Sequence, residues 1–131
     1  MLDSTPDKFI KTVCFESKDG VFVSVIVLGS DKVDSAKIQN ILQCDKLKPA
    51  TKESILKITG YEVGGIPPVG FQSRFFIDSK VLDKNEVFAG GGDSFTLLKI
   101  VPAEILRLNL AFVLDCVISK SFGLEWCQIW Y

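Results

Sequence analysis

Histidine is absent from this 131-residue chain, and its absence excludes several kinds of catalytic site. Without an imidazole, the chain cannot form a Ser-His-Asp or Cys-His triad, or a metal site built on histidine ligands. The four cysteines, at positions 14, 44, 116 and 127, contain no Cys-x-x-Cys pair, so a zinc site is not indicated. We therefore expect no metal or cofactor, and any cationic or basic chemistry must come from lysine.

Long apolar runs and an excess of positive charge are also lacking. No apolar run approaches the ~18 residues needed to span a bilayer, and the start of the chain lacks the apolar segment of a signal peptide. These features predict a cytoplasmic protein with no membrane partner. The net charge of −1 argues against strong non-specific nucleic-acid binding. A local basic patch remains an alternative to a merely solvated surface, at Lys46, Lys48, Lys52 and Lys57.

Hydrophobic residues make up 47% of the chain, which predicts one globular domain over residues 1–131. Strands are predicted at 9–16 and 21–28, joined at Asp19-Gly20, and later at 74–78, 86–89 and 95–101. Helices are predicted after the N-caps Asp34 and Thr51 and from Pro102 to about Leu108.

The C-terminal part of the chain leaves two questions open. Residues 110–118 either continue the last helix or form another strand. The aromatic end, Trp-Cys-Gln-Ile-Trp-Tyr, must pack on the core or on another subunit, because exposed aromatic side chains would form a sticky surface. A homodimer is one of these two alternatives.

Residues 59–70 contain four glycines and two adjacent prolines. Glycine permits unusual backbone conformations and close approach by a ligand, whereas proline stiffens the chain. The central part (Gly64, Gly65, Ile66, Pro67) is therefore either a structural turn or a pre-organised loop that directs backbone N–H groups at a ligand.

Two further segments can each be interpreted as either structural or functional. Gly90, Gly91 and Gly92 lie between two predicted strands, which indicates a bulge or a close backbone approach. Lys11 alternates with the apolar residues Phe9, Val13 and Phe15. A lysine on an apolar face is costly unless it is paired or lines a cavity, although a lysine at an edge strand also discourages aggregation.

The order of these segments resembles the YbaK family, which is related to the editing domain inserted in bacterial prolyl-tRNA synthetase. The resemblance rests on Lys11-Thr12, the Thr-Gly-Tyr-x-Val-Gly-Gly-Ile-x-Pro-x-Gly segment, Ile77-Asp78 and the Gly90–Gly92 run. It implies an α/β domain with a central curved mixed β-sheet or partial barrel and a few packed helices.

The resemblance also implies a function, which is hydrolysis of the ester bond in misacylated tRNA. The implied partner is the tRNA acceptor end, together with an aminoacyl-tRNA synthetase. Lys11 corresponds to the residue on which activity depends. The implied substrate-binding residues are Thr12, Gly64, Gly65, Ile66, Pro67, Asp78, Gly90, Gly91 and Gly92. The alternative role of Asp78 is to cap a turn.

The chain departs from the family pattern in having only eight residues before the Lys11 strand, where family members have a further helix and strand. This departure indicates a second function, a non-catalytic module that binds tRNA or a synthetase. A pocket discriminates poorly between side chains that differ by one methylene, so an editing enzyme would remove a small wrong amino acid such as alanine, cysteine or serine.

Overall fold

The computed structural model describes residues 8–62, 66–90 and 97–118. These residues form the strands β1 (Ile10–Glu16), β2 (Phe22–Leu28), β3 (Lys48–Pro49), β4 (Arg74–Asp78), β5 (Val87–Gly90), β6 (Leu97–Ile100) and β7 (Phe112–Leu114). They also form the helices α1 (Ser35–Leu42), α2 (Lys52–Thr59), α3 (Ser79–Leu82) and α4 (Pro102–Asn109). The predicted mixture of helices and strands is confirmed.

A five-stranded mixed sheet forms the centre of the molecule, in the order β3-β1-β2-β4-β7. Strand β1 pairs antiparallel with β2 and β3, whereas the β2–β4 and β4–β7 pairs are parallel. Strands β5 and β6 form a separate antiparallel pair. The β1–β2 hairpin turns at Gly20, whose φ of 91° suits glycine.

Both faces of the central sheet are covered, because side chains alternate along each strand. One hydrophobic cluster contains Ile26 and Ile77 from adjacent strands, with Val81, Val87 and Ile105 packed against them. The opposite face carries a second cluster, with members Phe15, Val23, Val25, Val27, Ile38, Leu47, Phe76 and Cys116. Strand β2 is therefore buried on both sides, which explains why its sequence is almost continuously apolar.

Local sequence signals account for where three of the helices begin. The Asp34 carboxylate accepts a hydrogen bond from Lys37 N at the start of α1, and the Thr51 hydroxyl accepts one from Ser54 N at the start of α2. Helix α4 begins with Pro102 in its first turn. The predicted N-caps and helix start are confirmed.

The structure resolves the ambiguity in residues 110–118. Helix α4 ends at Asn109, Leu110 takes a left-handed conformation (φ 52°), and the chain then forms β7 beside β4. The short helix α3, whose N-cap is Asp78, was not predicted from the sequence. The predicted aromatic end of the chain lies outside the described residues. Within the described ranges, none of the helices has the length and apolar character needed to cross a membrane.

Candidate functional site

The candidate site lies along the first half of β1. Among the described strands, β3 pairs with β1 at Phe15 and Glu16, so it leaves the first half of that edge to β5. Phe9 forms a parallel bridge with Phe88 of β5, and the two rings lie 5.7 Å apart. In this parallel register, Gly90 falls beside Lys11.

The glycine–proline loop approaches the same part of β1. Ile66 is buried in a cluster with Cys14 and Ile55, so α2 and the loop pack together on one face of the strand. The hydroxyl of Thr12, on this same face, lies 3.5 Å from the carbonyl oxygen of Pro67. The loop is thereby placed next to the edge that β5 occupies.

A cavity of about 100 Å³ lies where the three segments meet, and Ile10, Lys11, Thr12, Ile66 and Gly90 line it. Four of these five residues were predicted as site residues from separate parts of the sequence. Ile10 was not, because in the sequence it is simply one more apolar strand residue.

Lys11 itself is exposed, and its ammonium group forms no ion pair with any residue in the described ranges. Its neighbours Val13 and Phe15 pack in or against the second hydrophobic cluster, so the alternation read from the sequence is observed. Lys11 is thus a cavity-lining residue whose positive charge has no ion-pair partner among the described side chains.

The thiol nearest to this site is not poised for nucleophilic attack. Cys14 is buried, and burial raises the pKa of its thiol, an effect that a contact with Ser24 partly offsets. The thiolate is the reactive form of cysteine, so Cys14 is protonated at neutral pH. Among the described residues, no group of three or more histidine, cysteine or acidic side chains is arranged to hold a metal ion.

Asp78 does not line the cavity. Its carboxylate is completely buried at the end of β4, where it accepts hydrogen bonds from Lys80 N (3.2 Å) and Cys116 N (3.0 Å). These contacts are those of a capping group, which was the alternative role predicted for it. Four other predicted residues lie outside the described residues: Gly64, Gly65, Gly91 and Gly92.

Pro67 is buried beside the cavity and contributes its carbonyl oxygen to the Thr12 contact. The next carbonyl, that of Pro68, accepts a hydrogen bond of 2.5 Å from the side-chain amide of Asn109 at the end of α4. No local pattern in the sequence could have linked Asn109 to the loop, because 41 residues separate the two.

A larger apolar groove, of about 530 Å³, lies between α1 and the edge strand β7. Ile41, Phe76 and Phe112 are among the residues that line it. It contains none of the predicted site residues, so size alone does not identify the functional site here.

Comparison with known proteins identifies a family and several relatives of this chain. A model of the aminoacyl-tRNA editing domain matches residues 1–108. A proline–tRNA ligase from Moorella thermoacetica is 41% identical over 71 residues, which are 54% of this chain and 12% of that ligase. A second, from Desulfotalea psychrophila, is 30% identical over 124 residues, which are 95% of this chain and 20% of that ligase. The chain thus spans a fifth or less of either ligase.

A solved structure described as a candidate trans-editing enzyme for prolyl tRNA synthetase has the same fold. The two chains share 29% sequence identity with a TM-score of 0.81, over 88% of this chain and 74% of that one. The fold and the resemblance predicted from the sequence are confirmed. Because the family model matches residues 1–108, which are most of this chain, and the Lys11, Ile66 and Gly90 segments converge on one cavity, this chain belongs to the aminoacyl-tRNA editing domain family.

Proposed function

We propose that this protein is a trans-acting editing hydrolase that removes a wrong amino acid from misacylated tRNA, with mischarged tRNA-Pro among its substrates. The observation that carries the proposal is the cavity lined by Lys11, Thr12, Ile66 and Gly90 in a chain that belongs to an editing-domain family. The similarity to proline–tRNA ligases supports the choice of tRNA.

The reaction is hydrolysis of one ester bond. A water oxygen attacks the ester carbonyl carbon, the bond to the ribose oxygen breaks, and that oxygen takes up a proton as the free amino acid leaves. Lys11 would stabilise the negative charge that develops in the transition state or hold a terminal phosphate of the tRNA. Among the described residues that line the cavity, none carries a carboxylate or imidazole, and we propose that the substrate or the solvent supplies the proton acceptor.

The size of the cavity supports a small amino acid as the group removed. A volume of about 100 Å³ corresponds to roughly three water molecules. Alanine, serine or cysteine would fit such a space. Selection by size is the expected principle of an editing site, since it hydrolyses only what is small enough to enter.

Exposed lysines support tRNA as the partner. Helix α2 packs against the loop through Ile55 and Ile66, so the outer surface of α2 and the neighbouring β3 border the site. The predicted basic patch is exposed on and next to these elements, at Lys46, Lys48, Lys52 and Lys57. Each lysine that reaches a phosphate would contribute to affinity and to its dependence on salt.

The first test is deacylation of tRNAs charged with alanine, serine or cysteine, including mischarged tRNA-Pro. We expect the wild type to release at least one of these amino acids, and Lys11→Ala to lower kcat/KM by about 100-fold, as loss of a group that stabilises the transition state does. Lys18→Ala is the matched control, because Lys18 is an exposed lysine in the turn after the same strand.

Each outcome separates the alternatives. Unchanged activity in Lys11→Ala would overturn the role of Lys11 while leaving the editing function in place. Failure of the wild type to hydrolyse any of these substrates, together with measurable binding of tRNA or of a synthetase, would favour the non-catalytic binding module instead.

A further inference from the structure

The segment Ile66–Gly70 is held in place in an unusual way. It belongs to no helix or strand, and within the described part of the chain it makes no backbone–backbone hydrogen bond to another element. Pro67 and Pro68 have no N–H group and so cannot donate one. Both prolines are buried, and buried carbonyl oxygens need hydrogen-bond partners.

Side chains from two different elements supply those partners. Thr12 of β1 reaches Pro67 O at 3.5 Å, which is at the outer limit for a hydrogen bond. Asn109 of α4 donates its amide to Pro68 O at 2.5 Å, which makes it the closer of the two contacts. The loop is therefore attached by hydrogen bonds to the strand that carries Lys11 and to the C-terminal end of α4.

Helix α4 also connects to the other side of the cavity. It follows β6, which pairs with β5 so that Leu97 lies opposite Gly90. The Asn109 contact thus links the loop that presents Ile66 to the strand pair that presents Gly90. A displacement of the loop relative to this pair would change the separation of two walls of the cavity.

We propose that Asn109 is a positioning residue for the editing reaction. By holding the Pro68 carbonyl, its amide keeps Ile66 and the adjoining loop at the correct distance from Lys11 and Gly90. This inference rests on the proposed function for its effect on catalysis, but its effect on the loop can be measured without any activity.

The experiment compares wild type with Asn109→Leu, which keeps the number and branching of the side-chain heavy atoms and removes both N–H donors. Hydrogen exchange followed by mass spectrometry reports on the amides of Ile66, Val69, Gly70 and Phe71, with the β2 amides as an internal reference. We expect exchange in the loop to become about 10-fold faster while exchange in β2 is unchanged. In the deacylation assay, kcat should fall by about 10-fold or more, because small displacements of reacting groups are costly.

Three further variants keep the test decisive. Asn109→Ala removes the amide by truncation and so checks the result obtained with Asn109→Leu. Asn109→Gln retains the amide donor, so it should recover part of the lost kcat. Asn40→Ala changes an exposed asparagine of α1 and should alter neither measurement. Unchanged loop exchange in both Asn109→Leu and Asn109→Ala would overturn the proposal, even if the wild type proves active. If the wild type has no activity, faster loop exchange alone would still support the contact, and the proposed function would be the part that failed.

Discussion

At the residue scale, Cys116 and Asp78 show how burial alters ordinary side chains. The Cys116 thiol is completely buried beside the Asp78 carboxylate. Burial is the main cause that raises the pKa of Cys116 to about 12, and the nearby negative charge of Asp78 adds to it. In the unfolded chain the same thiol would titrate near its usual value of 9.0.

This difference predicts a loss of stability at high pH. The pKa of Cys116 is higher in the folded state than in the unfolded state. The contribution of the protonated thiol to the free energy of unfolding is therefore fully present below about pH 9 and is lost as the pH rises towards 12. In that range the unfolded state releases the proton first, and the free energy of unfolding falls by about 1.4 kcal/mol per pH unit. Cys116→Ala should lack this component in urea titrations with reductant at about pH 8 and about pH 10. An identical pH dependence in both proteins would contradict the prediction.

At the element scale, helix ends explain where the chain changes direction. Helices α1, α2 and α4 are each followed by a C-cap residue in the left-handed conformation. These residues are Gln43 (φ 52°), Gly60 (φ 83°) and Leu110 (φ 52°), in that order. Only Gly60 is the residue type that adopts this conformation without steric cost. Leu110 adopts this conformation with steric strain. Its side chain is also 84% exposed, so packing offsets little of that strain.

Leu110→Gly should therefore stabilise the protein by about 0.5–1 kcal/mol, because it relieves the left-handed strain and gives up little buried surface. The matched reverse change, Gly60→Ala, should destabilise the protein by a similar amount. Both can be read from the midpoint of urea unfolding. A destabilised Leu110→Gly variant would show that Leu110 makes contacts which outweigh its backbone strain.

At the scale of the whole molecule, the two hydrophobic clusters share the central sheet. Ile26 belongs to one cluster and Phe76 to the other, although they lie on the adjacent paired strands β2 and β4. Loss of packing on either face should therefore weaken the same cooperative unit.

Ile26→Ala and Phe76→Ala should each lower the free energy of unfolding by about 2–5 kcal/mol, as large-to-small changes in a packed core do. Both variants should unfold in a single transition. Ile41→Ala is the control, because Ile41 is 55% exposed and its loss should cost much less. Two separate transitions in either core variant would show that the faces fold independently.

Much of the local structure was predictable from the sequence because its causes are local. Alternation and the Asp19-Gly20 turn predicted the β1–β2 hairpin, and the caps Asp34 and Thr51 predicted where helices begin. The candidate site was predictable only as separate segments. Lys11, the glycine–proline loop and the glycine run were each identified by a residue type that is costly or unusual in its setting.

Only the tertiary structure decided how those segments are arranged. Nothing in the sequence shows that Phe9 lies beside Phe88, or that Asn109 reaches Pro68. The sequence alone determined which short stretches form strands, turns and helix ends, since hydrogen bonds and side-chain periodicity within a few residues govern them. Long-range packing decided that residues 110–118 include a strand and that Lys11, Ile66 and Gly90 share a cavity, because strand pairing between distant residues depends on how the whole chain buries its apolar surface.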